Sequence, residues 1–310
     1  MTFQSPAREY RTWAFDSRRW NGYRPREDDI VVATYPKCGT TWTQRILQML
    51  IFRSTEALPI SDVSPWPDSR IFEPIEALLE RIEGQTHRRS LKAHLPFDGL
   101  PIYDKVKYLH VARDGRDASL SWFGHAKNFK PEILSRLNEA GLGDEAVARP
   151  YPMPLDDPAE NFHRWLTEGI VAGDDDGVPH MSYFHFEQTW WEARHRPNVL
   201  LVHFADLKAD LGGEMRRIAE FLDIDIPQEL WPSLVEAASF EAMRRDADKM
   251  LGKVSQVFKG GGQSFFNKGE NKRWLGVFRD EDLALYEQKL SRKCTAECAH
   301  WLTNGRLGAT

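Results

Sequence analysis

The sequence predicts an α/β fold in three layers, with helices on both faces of a central parallel sheet of four or five strands. Short apolar runs rich in β-branched residues alternate with longer segments of helical periodicity, which is the pattern of repeated strand–helix units. The chain has 310 residues, of which 41% are hydrophobic, enough for one large core. We therefore expect a single domain over residues 1–310, with its core at about 26–290.

Charge and cysteine content exclude several classes of function. The formal net charge is −5 and the pI is about 6.1, which argues against a general binder of nucleic acid or anionic membranes. No apolar run approaches the ~20 residues that span a bilayer, and the N-terminus has no apolar signal core. Cys294 and Cys298 near His300 are interpreted as helix packing rather than a metal site. These features predict a cytoplasmic protein without disulfides.

Residues 29–51 form the stretch on which the other predictions depend. Residues 30–34 are a short β-branched run between an acid and a proline, which predicts a buried strand. Apolar residues then recur at helical spacing over 42–51, which predicts a helix that ends near Arg53. The turn at 36–41 joins the two elements.

The turn has the composition of an anion site. Gly39 permits a backbone that other residues adopt only with strain, and Thr40 and Thr41 stand where a helix begins with free N–H groups. Lys37 adds a full positive charge. The common phosphate-binding motif is absent, because the lysine here precedes the single glycine. On these features alone, an ordinary strand–turn–helix corner that binds nothing is an equal alternative.

The string Thr-Tyr-Pro-Lys-x-Gly-Thr-Thr-Trp at 34–42 resembles the 5′-phosphosulfate loop of the cytosolic-type sulfotransferases. These enzymes use 3′-phosphoadenylyl sulfate (PAPS) and release its desulfated product, PAP. The resemblance spans about 26–290 and implies a P-loop-like αβα core. It also implies that the loop binds the nucleotide through Lys37, Cys38, Gly39, Thr40, Thr41 and Trp42.

A long connection and a short helix follow. Residues 54–75 carry four prolines together with Trp66 and Phe72, which predicts a semi-rigid segment and a wall of an acceptor pocket. A helix is expected at about 74–83, and a brief strand at 90–93.

Lys92 and His94 lie two residues apart at the end of that strand, so both are expected to point to one face. Strand ends are where open α/β sheets place ligands. A structural or solvated histidine is the alternative. The segment resembles the family's Lys-[Thr/Ser]-His-Leu-Pro, which implies that His94 is the catalytic base and that Lys92 holds the sulfuryl oxygens. Ala93 replaces the hydroxyl residue of the family.

Arg113 is expected at the end of a third strand, with Ser121 two helical turns further on. Arg113 paired with Asp114 or Asp117 is the structural alternative. The spacing Arg-Asp-x-x-Asp-x-x-x-Ser resembles the family's 3′-phosphate site, and a guanidinium suits phosphate because its donors form a rigid fork. The resemblance further implies that Ser121 hydrogen-bonds Lys37.

The rest of the chain continues the alternation of helices and strands. The predicted elements are a strand at about 106–112, helices from about 115 and at 131–140, a helix marked by Phe162, Trp165 and Ile170, an aromatic helix at 182–192, a strand at 199–204, helices near 211–222 and 228–236, and a last helix at about 280–301.

Three segments are expected to cover the substrates: 54–75, 123–160 and 246–266. Within the last, residues 252–264 lack a periodic pattern and are predicted to be mobile. Aromatic side chains in or beside these segments indicate a small apolar, aromatic or lipidic acceptor, although packing is an alternative role for them. They are Trp66, Phe72, Phe97, Phe123, Phe129 and Tyr151.

The remaining nucleotide contacts are implied by resemblance alone. Phe204 stands where the family often has a tyrosine, so one hydroxyl contact is missing. A family segment that surrounds adenine matches Ser239, Phe240 and Met243, and Phe240 with Trp42 is expected to stack on the base. The C-terminal element contributes Phe265, Asn267, Lys268 and Gly269, with Arg273 as a compensator for the arginine that Asn267 replaces.

These expectations describe a sulfotransferase that moves a sulfuryl group from PAPS to a hydroxyl or amine of a small molecule, with His94 as general base and no metal. The alternatives are a nucleotide kinase or NTPase-like enzyme and a non-catalytic nucleotide-binding protein. No nucleic-acid partner is expected, and the oligomeric state is open.

Overall fold

Four parallel strands form the central sheet, as the sequence predicts. The computed structural model describes residues 1–266 and 269–308. Its strands are β1 Phe3–Gln4, β2 Ile30–Thr34, β3 Ser90–Ala93, β4 Ile102–Tyr103, β5 Lys107–Ala112 and β6 Val199–His203. The central sheet has the order β3-β2-β5-β6, and β1 pairs with β4 in a separate antiparallel ribbon. Each central strand lies within one residue of its predicted bounds.

Helices connect the strands and cover both faces of the sheet. They are α1 Thr40–Phe52, α2 Ile60–Val63, α3 Ile75–Glu83, α4 Gly115–Lys127, α5 Pro131–Leu142, α6 Pro158–Thr167, α7 Tyr183–Ala193, α8 Phe204–Ala209, α9 Leu211–Phe221, α10 Trp231–Ala237, α11 Phe240–Arg245, α12 Ala247–Leu251, α13 Gly261–Phe265, α14 Asp280–Lys293 and α15 Ala296–Asn304. Four short 3-10 segments lie at Ser17–Gly22, Phe97–Gly99, Gln228–Leu230 and Gly252–Val257.

Strand β2 is buried on both faces, which explains its unbroken apolar run. Val31 and Ala33 enter one hydrophobic cluster with α7 and α14, while Ile30 and Val32 enter the other with α1 and α9. Because successive side chains of a strand point to opposite faces, one strand contributes to both cores. This double burial fixes the position of β2 and of the turn that follows it.

The carboxyl ends of the four strands meet at one edge of the sheet. Ala33 of β2 pairs with Ala93 of β3, and Thr34 pairs with Val111 of β5, so the ends lie level. The turn after β2 and the residues that directly follow β3, β5 and β6 therefore emerge together. Those residues are His94, Arg113 and Phe204.

Two predicted elements differ in the structure. The last helix is divided into α14 and α15, because Cys294 is extended and the Thr295 hydroxyl caps a new helix by accepting the N–H of Cys298. The segment 252–264, which lacks periodicity, forms short helical turns, with Phe258 buried against Phe129. Contacts from other parts of the fold support these turns, and such contacts leave no periodic signal in the sequence.

Other differences concern helix ends. Helix α6 ends at Thr167, so Ile170 lies outside it, and the predicted helix at 228–236 begins with a 3-10 turn before α10. In the described part of the chain, every helix is too short or too polar to cross a membrane.

A buried ion pair ties the opposite edge of the sheet. The Arg89 guanidinium donates to both carboxylate oxygens of Asp29, at 2.7 and 2.5 Å, and both side chains are fully buried. The Tyr23 hydroxyl also donates to Asp29, at 2.5 Å, and the N–H of Ile30 donates to the carbonyl oxygen of Arg89. These contacts join the beginnings of β2 and β3.

Asp29→Asn should destabilise the protein by about 3 kcal/mol, because it leaves the buried Arg89 guanidinium with the half-exposed Glu83 carboxylate, at 3.1 Å, as its remaining counter-charge. Urea unfolding followed by tryptophan fluorescence measures the loss. Asp28→Asn, the same change at the exposed neighbouring position, is the control and should shift the midpoint little. Equal midpoints for the two variants would contradict this role.

Candidate active site

A cavity of about 660 Å³ lies at the carboxyl edge of the sheet. It brings together most of the residues singled out from the sequence. Those that line it are Lys37, Gly39, Thr40, Thr41, Trp42, Lys92, His94, Arg113, Ser121, Phe204, Ser239, Phe240, Met243, Phe265 and Gly269. Cys38 does not line it, and Asn267 and Lys268 lie outside the described residues.

The turn after β2 has two residues in the left-handed region. Gly39 has φ 114° and a Cβ there would lie 3.1 Å from the Phe204 ring, so glycine suits the position on both counts. Lys37 has φ 72°, a strained backbone that the sequence did not indicate. Gly39 caps α1 without a side chain, which leaves the first N–H groups of the helix for another acceptor.

Cys38 faces the core instead of the cavity. Its side chain is fully buried, and its N–H donates to the carbonyl oxygen of Tyr35 at 3.2 Å. Burial raises the pKa of the thiol well above its usual range. Cys38 therefore shapes the turn from within the core and offers the cavity neither its thiol nor a free N–H group.

His94 is held as a neutral base. Its Nδ1 lies 2.7 Å from the carbonyl oxygen of Thr34, which can only accept, so Nδ1 carries the hydrogen and donates it. The lone pair is then on Nε2. Burial, with Lys92 as the next cause, lowers the pKa of His94 well below its usual range. The ring is also fixed edge-on to Trp66, at 5.0 Å between centroids.

Three cations converge on the cavity, and each lies over an aromatic ring. Lys37 Nζ is 4.6 Å from the centre of the Phe265 ring, and Lys92 Nζ is 3.5 Å from that of Trp66. The Arg113 guanidinium is 4.2 Å from that of Phe204. Within residues 1–266 and 269–308, none of the three forms a salt bridge with a carboxylate. Aromatic faces offset only part of the charge, which favours an anion here.

Arg113 does not pair with Asp114 or Asp117, the alternative that the sequence left open. Asp114 pairs with Arg116 at 2.7 Å, and Asp117 accepts the N–H groups of Lys272 and Arg273. Arg113 donates to the carbonyl oxygens of Glu270 and Lys37, and its buried Nε has no partner among the described residues. Arg273 lines the same cavity, as its expected role requires.

His125 is a site residue that the sequence reasoning missed. Its Nδ1 lies 3.2 Å from Lys37 Nζ, so the lysine contacts His125 rather than Ser121, one helical turn earlier on α4. The sequence carried one signal for His125. It follows Ser121 by four residues on a predicted helix, so both side chains lie on the same face. The His125 ring also packs between Phe258 and Phe265.

Burial and mutual repulsion weaken the charges of the lysines. The pKa of Lys37 is lowered to about 7 by burial and then by Arg113 and Lys92, and burial lowers the pKa of Lys92 to about 7. Burial, followed by the two lysines, also holds the pKa of His125 well below its usual range. His125 is therefore neutral and accepts a hydrogen bond from the Lys37 ammonium.

Beside the cations, the cavity has an aromatic lobe. Trp66, Phe72, Phe129 and Tyr151 line it as expected from the sequence. The lobe is completed by Trp13, Phe15, Ile71, Trp122, Ile133, Leu137 and Phe258. An apolar molecule can therefore lie next to the neutral base and the anion site.

Some aromatic residues were assigned incorrectly from the sequence. Phe97 packs on Trp190 in the core, and Phe123 is near Lys127, so neither lines the cavity. The N-terminal residues Trp13 and Phe15, which the sequence did not mark as part of the pocket, line it and are 1% and 2% exposed. Isolated aromatics carry no periodicity that would tell a pocket wall from ordinary core.

Comparisons of the sequence with known proteins point to one family. The family model described as "Sulfotransferase domain" matches residues 27–295. The chain is 32% identical to a glycolipid sulfotransferase of Mycobacterium tuberculosis over 310 residues, covering 96% of this chain and 95% of the relative. It is 29% identical to Sulfotransferase 1A1 of Rattus norvegicus over 259 residues, covering 81% and 79%.

Solved structures show the same fold. A mouse sulfotransferase complexed with PAP matches with a TM-score of 0.69 at 20% identity, over 92% of both chains. Retinol dehydratase in a complex with retinol and PAP matches with a TM-score of 0.62 at 21% identity, over 90% of this chain and 84% of that one. The P-loop-like αβα architecture expected from the sequence is therefore confirmed.

PAP, the nucleotide named in the solved neighbours, is the test ligand for the cationic part of the cavity. Its affinity should fall as pH rises above about 7, by up to about tenfold per pH unit, because the depressed pKa lets Lys37 lose its charge in the free protein. Isothermal titration calorimetry measures the profile. Lys37→Arg keeps its charge throughout and should make the profile shallower. His125→Phe removes an acceptor for the ammonium, which lowers the lysine pKa further and moves the fall to lower pH. Identical profiles for the wild type and Lys37→Arg would contradict the assignment.

Proposed function

The chain belongs to the sulfotransferase family and is a transferase, and from that premise we propose that it moves a sulfuryl group from PAPS to a hydroxyl or amine, with His94 as general base. The observation that carries the proposal is the meeting of His94, Lys37 and Lys92 in one cavity, between an anion site and an aromatic lobe. The presence of PAP in the names of solved neighbours supports the choice of donor.

In this proposal the donor occupies the cationic part of the cavity. The N–H groups at the beginning of α1 and the charge of Lys37 hold the 5′-phosphosulfate, and Arg113 holds the 3′-phosphate through its unpartnered Nε edge. Trp42 and Phe240 stack on adenine. Trp42 is fixed for this role, because its indole N–H donates to the carbonyl oxygen of Ala238 at 2.8 Å.

Transfer proceeds by in-line displacement. The acceptor hydroxyl gives its proton to Nε2 of His94 while its oxygen attacks sulfur, and the bond from sulfur to the bridging phosphate oxygen breaks. Negative charge grows on that leaving oxygen, where Lys37 can donate, and Lys92 holds the sulfuryl oxygens. The fixed tautomer of His94 supports this role because its lone pair is on the nitrogen that does not bind Thr34.

The acceptor occupies the aromatic lobe in this proposal. Its walls combine Trp13, Phe15, Trp66 and Phe129 with aliphatic side chains, which favours an apolar or aromatic body beside the reacting hydroxyl. The word "glycolipid" in the names of the mycobacterial relatives, and the retinol in a solved neighbour, support acceptors of this kind.

Sulfate transfer from labelled PAPS to a panel of phenols, sterols and lipid alcohols tests the proposal. His94→Ala should lower turnover by about 10²–10⁴-fold, because the acceptor proton loses its base. PAP should still bind, since the anion site is intact. His195→Ala, at an exposed position, is the control and should keep full turnover. Near-normal turnover in His94→Ala would remove this residue from the mechanism, and ATP turnover with Mg²⁺ in place of sulfate transfer would favour a kinase.

Arg113→Ala should weaken the binding of PAP by roughly tenfold or more, because a buried charge-assisted contact to phosphate is lost. Adenosine 5′-phosphosulfate, which lacks the 3′-phosphate, is the matched ligand and should lose much less affinity. Calorimetric titration of both nucleotides measures the difference. Equal losses would mean that Arg113 does not contact the 3′-phosphate.

A further inference from the structure

The aromatic lobe contains a histidine that the mechanism does not use. His180 lines the cavity and is 2% exposed. Its ring is enclosed by Trp122, at 4.3 Å between centroids, and by Phe15, at 5.3 Å. Neither ring nitrogen has a hydrogen-bond partner in residues 1–266 and 269–308. Two polar atoms are thus buried among aromatic rings at the wall of the pocket.

Tyr151 presents a third polar atom of this kind. It also lines the cavity, is 5% exposed, and its hydroxyl has no partner in the described part of the chain. The ring is fixed edge-on to Trp13, at 5.8 Å between centroids, and the backbone N–H of Tyr151 donates to Oδ1 of Asn138 at 2.7 Å. The hydroxyl is therefore carried on a well-packed side chain.

Buried polar atoms are nearly always hydrogen-bonded, because an unpaired donor or acceptor loses the bonds it made to water. The ring nitrogens of His180 and the hydroxyl of Tyr151 have no such bond among residues 1–266 and 269–308, and both residues line one pocket. Among the described residues that line this cavity, the other buried side-chain atom without a partner is Nε of Arg113, where the donor phosphate is expected. The same reasoning applied to the aromatic lobe indicates a polar ligand group there.

We propose that the acceptor carries a second hydroxyl on its apolar body, besides the hydroxyl that receives the sulfuryl group, and that His180 and the Tyr151 hydroxyl hydrogen-bond it. Phe15 packs on both His94 and His180, so the second site lies one ring away from the base. The acceptor class is a neutral di- or polyhydroxyl compound, such as a hydroxylated lipid or sterol. This inference rests on the proposed function, since it concerns the acceptor of that reaction.

The chemistry of the two side chains fits a hydroxyl group. Burial lowers the pKa of His180 to about 3, so the ring is neutral, with one N–H donor and one lone pair. A tyrosine hydroxyl also donates and accepts. A ligand hydroxyl, which does both, matches either partner, whereas a methyl group would leave these atoms unpaired.

Pairs of ligands that differ by one hydroxyl group test the proposal in a binding experiment that does not depend on catalysis. Protein with and without PAP is titrated with 1-octanol and 1,8-octanediol, and with 4-propylphenol and 4-(3-hydroxypropyl)phenol. The wild type should bind each compound with two hydroxyl groups (the diols) more tightly than the matching compound with one. Tyr151→Phe and His180→Phe should each weaken diol binding by roughly tenfold and leave the mono-hydroxyl partner within about twofold. Tyr103→Phe, outside the cavity, is the control.

Stability gives a second readout. His180→Phe removes two buried, unpartnered nitrogens, so the melting temperature of the free protein should stay the same or rise while diol binding weakens. A purely structural histidine would instead lower it. If that variant does not fold, Tyr151→Phe, which loses only an oxygen atom, decides the question.

Two results would overturn the proposal. One is an unchanged ratio of diol to mono-hydroxyl affinity in both variants, and the other is failure of both diols to bind. Loss of sulfate transfer with every acceptor, together with normal diol selectivity in binding, would instead overturn the proposed function and leave the polar site standing.

Discussion

Positive charge that the protein itself does not neutralise is the constraint on which this site depends. Lys37, Lys92 and Arg113 enter one cavity without a carboxylate partner in the described residues, and aromatic rings lie under all three. Such an arrangement is unfavourable in the empty protein, as the lowered pKa values of both lysines indicate. An anionic ligand reverses that effect, so in the proposed reaction the same cations would both bind the donor and stabilise the charge that develops during transfer.

The sheet separates paired from unpaired charge. At its amino edge, Arg89 and Asp29 neutralise each other in full burial. At its carboxyl edge, Lys92 of β3 and Arg113 after β5 form no salt bridge with a carboxylate among the described residues. Parallel strands make this possible because every carboxyl end lies at one edge. The buried pair fixes the strands, and the fixed strands keep the cations close together despite their repulsion.

Much of the fold and part of the site could be predicted from the sequence. Strands β2, β5 and β6 were predictable because each is a short run rich in apolar residues, β3 because Pro96 stops a brief extended segment, and the turn at 36–41 carried a specific string. Cys38 and His125 show the limit. Cys38 belongs to that string but faces inward, and His125 meets Lys37 across 88 positions of sequence. Side-chain direction in a turn, and contacts between distant segments, leave no local pattern.

The end of β2 positions both His94 and the turn that carries Lys37. The carbonyl oxygen of Thr34 orients His94, and the turn that carries Lys37 begins two residues later. Burial and two lysines depress the pKa of His94, so it is a weak base in the empty site. A polyanion beside those lysines offsets their charge and raises the pKa of the histidine towards its ordinary value. In the proposed reaction His94 would therefore become a stronger base when the donor binds, because the cations proposed to hold the donor weaken the base in its absence.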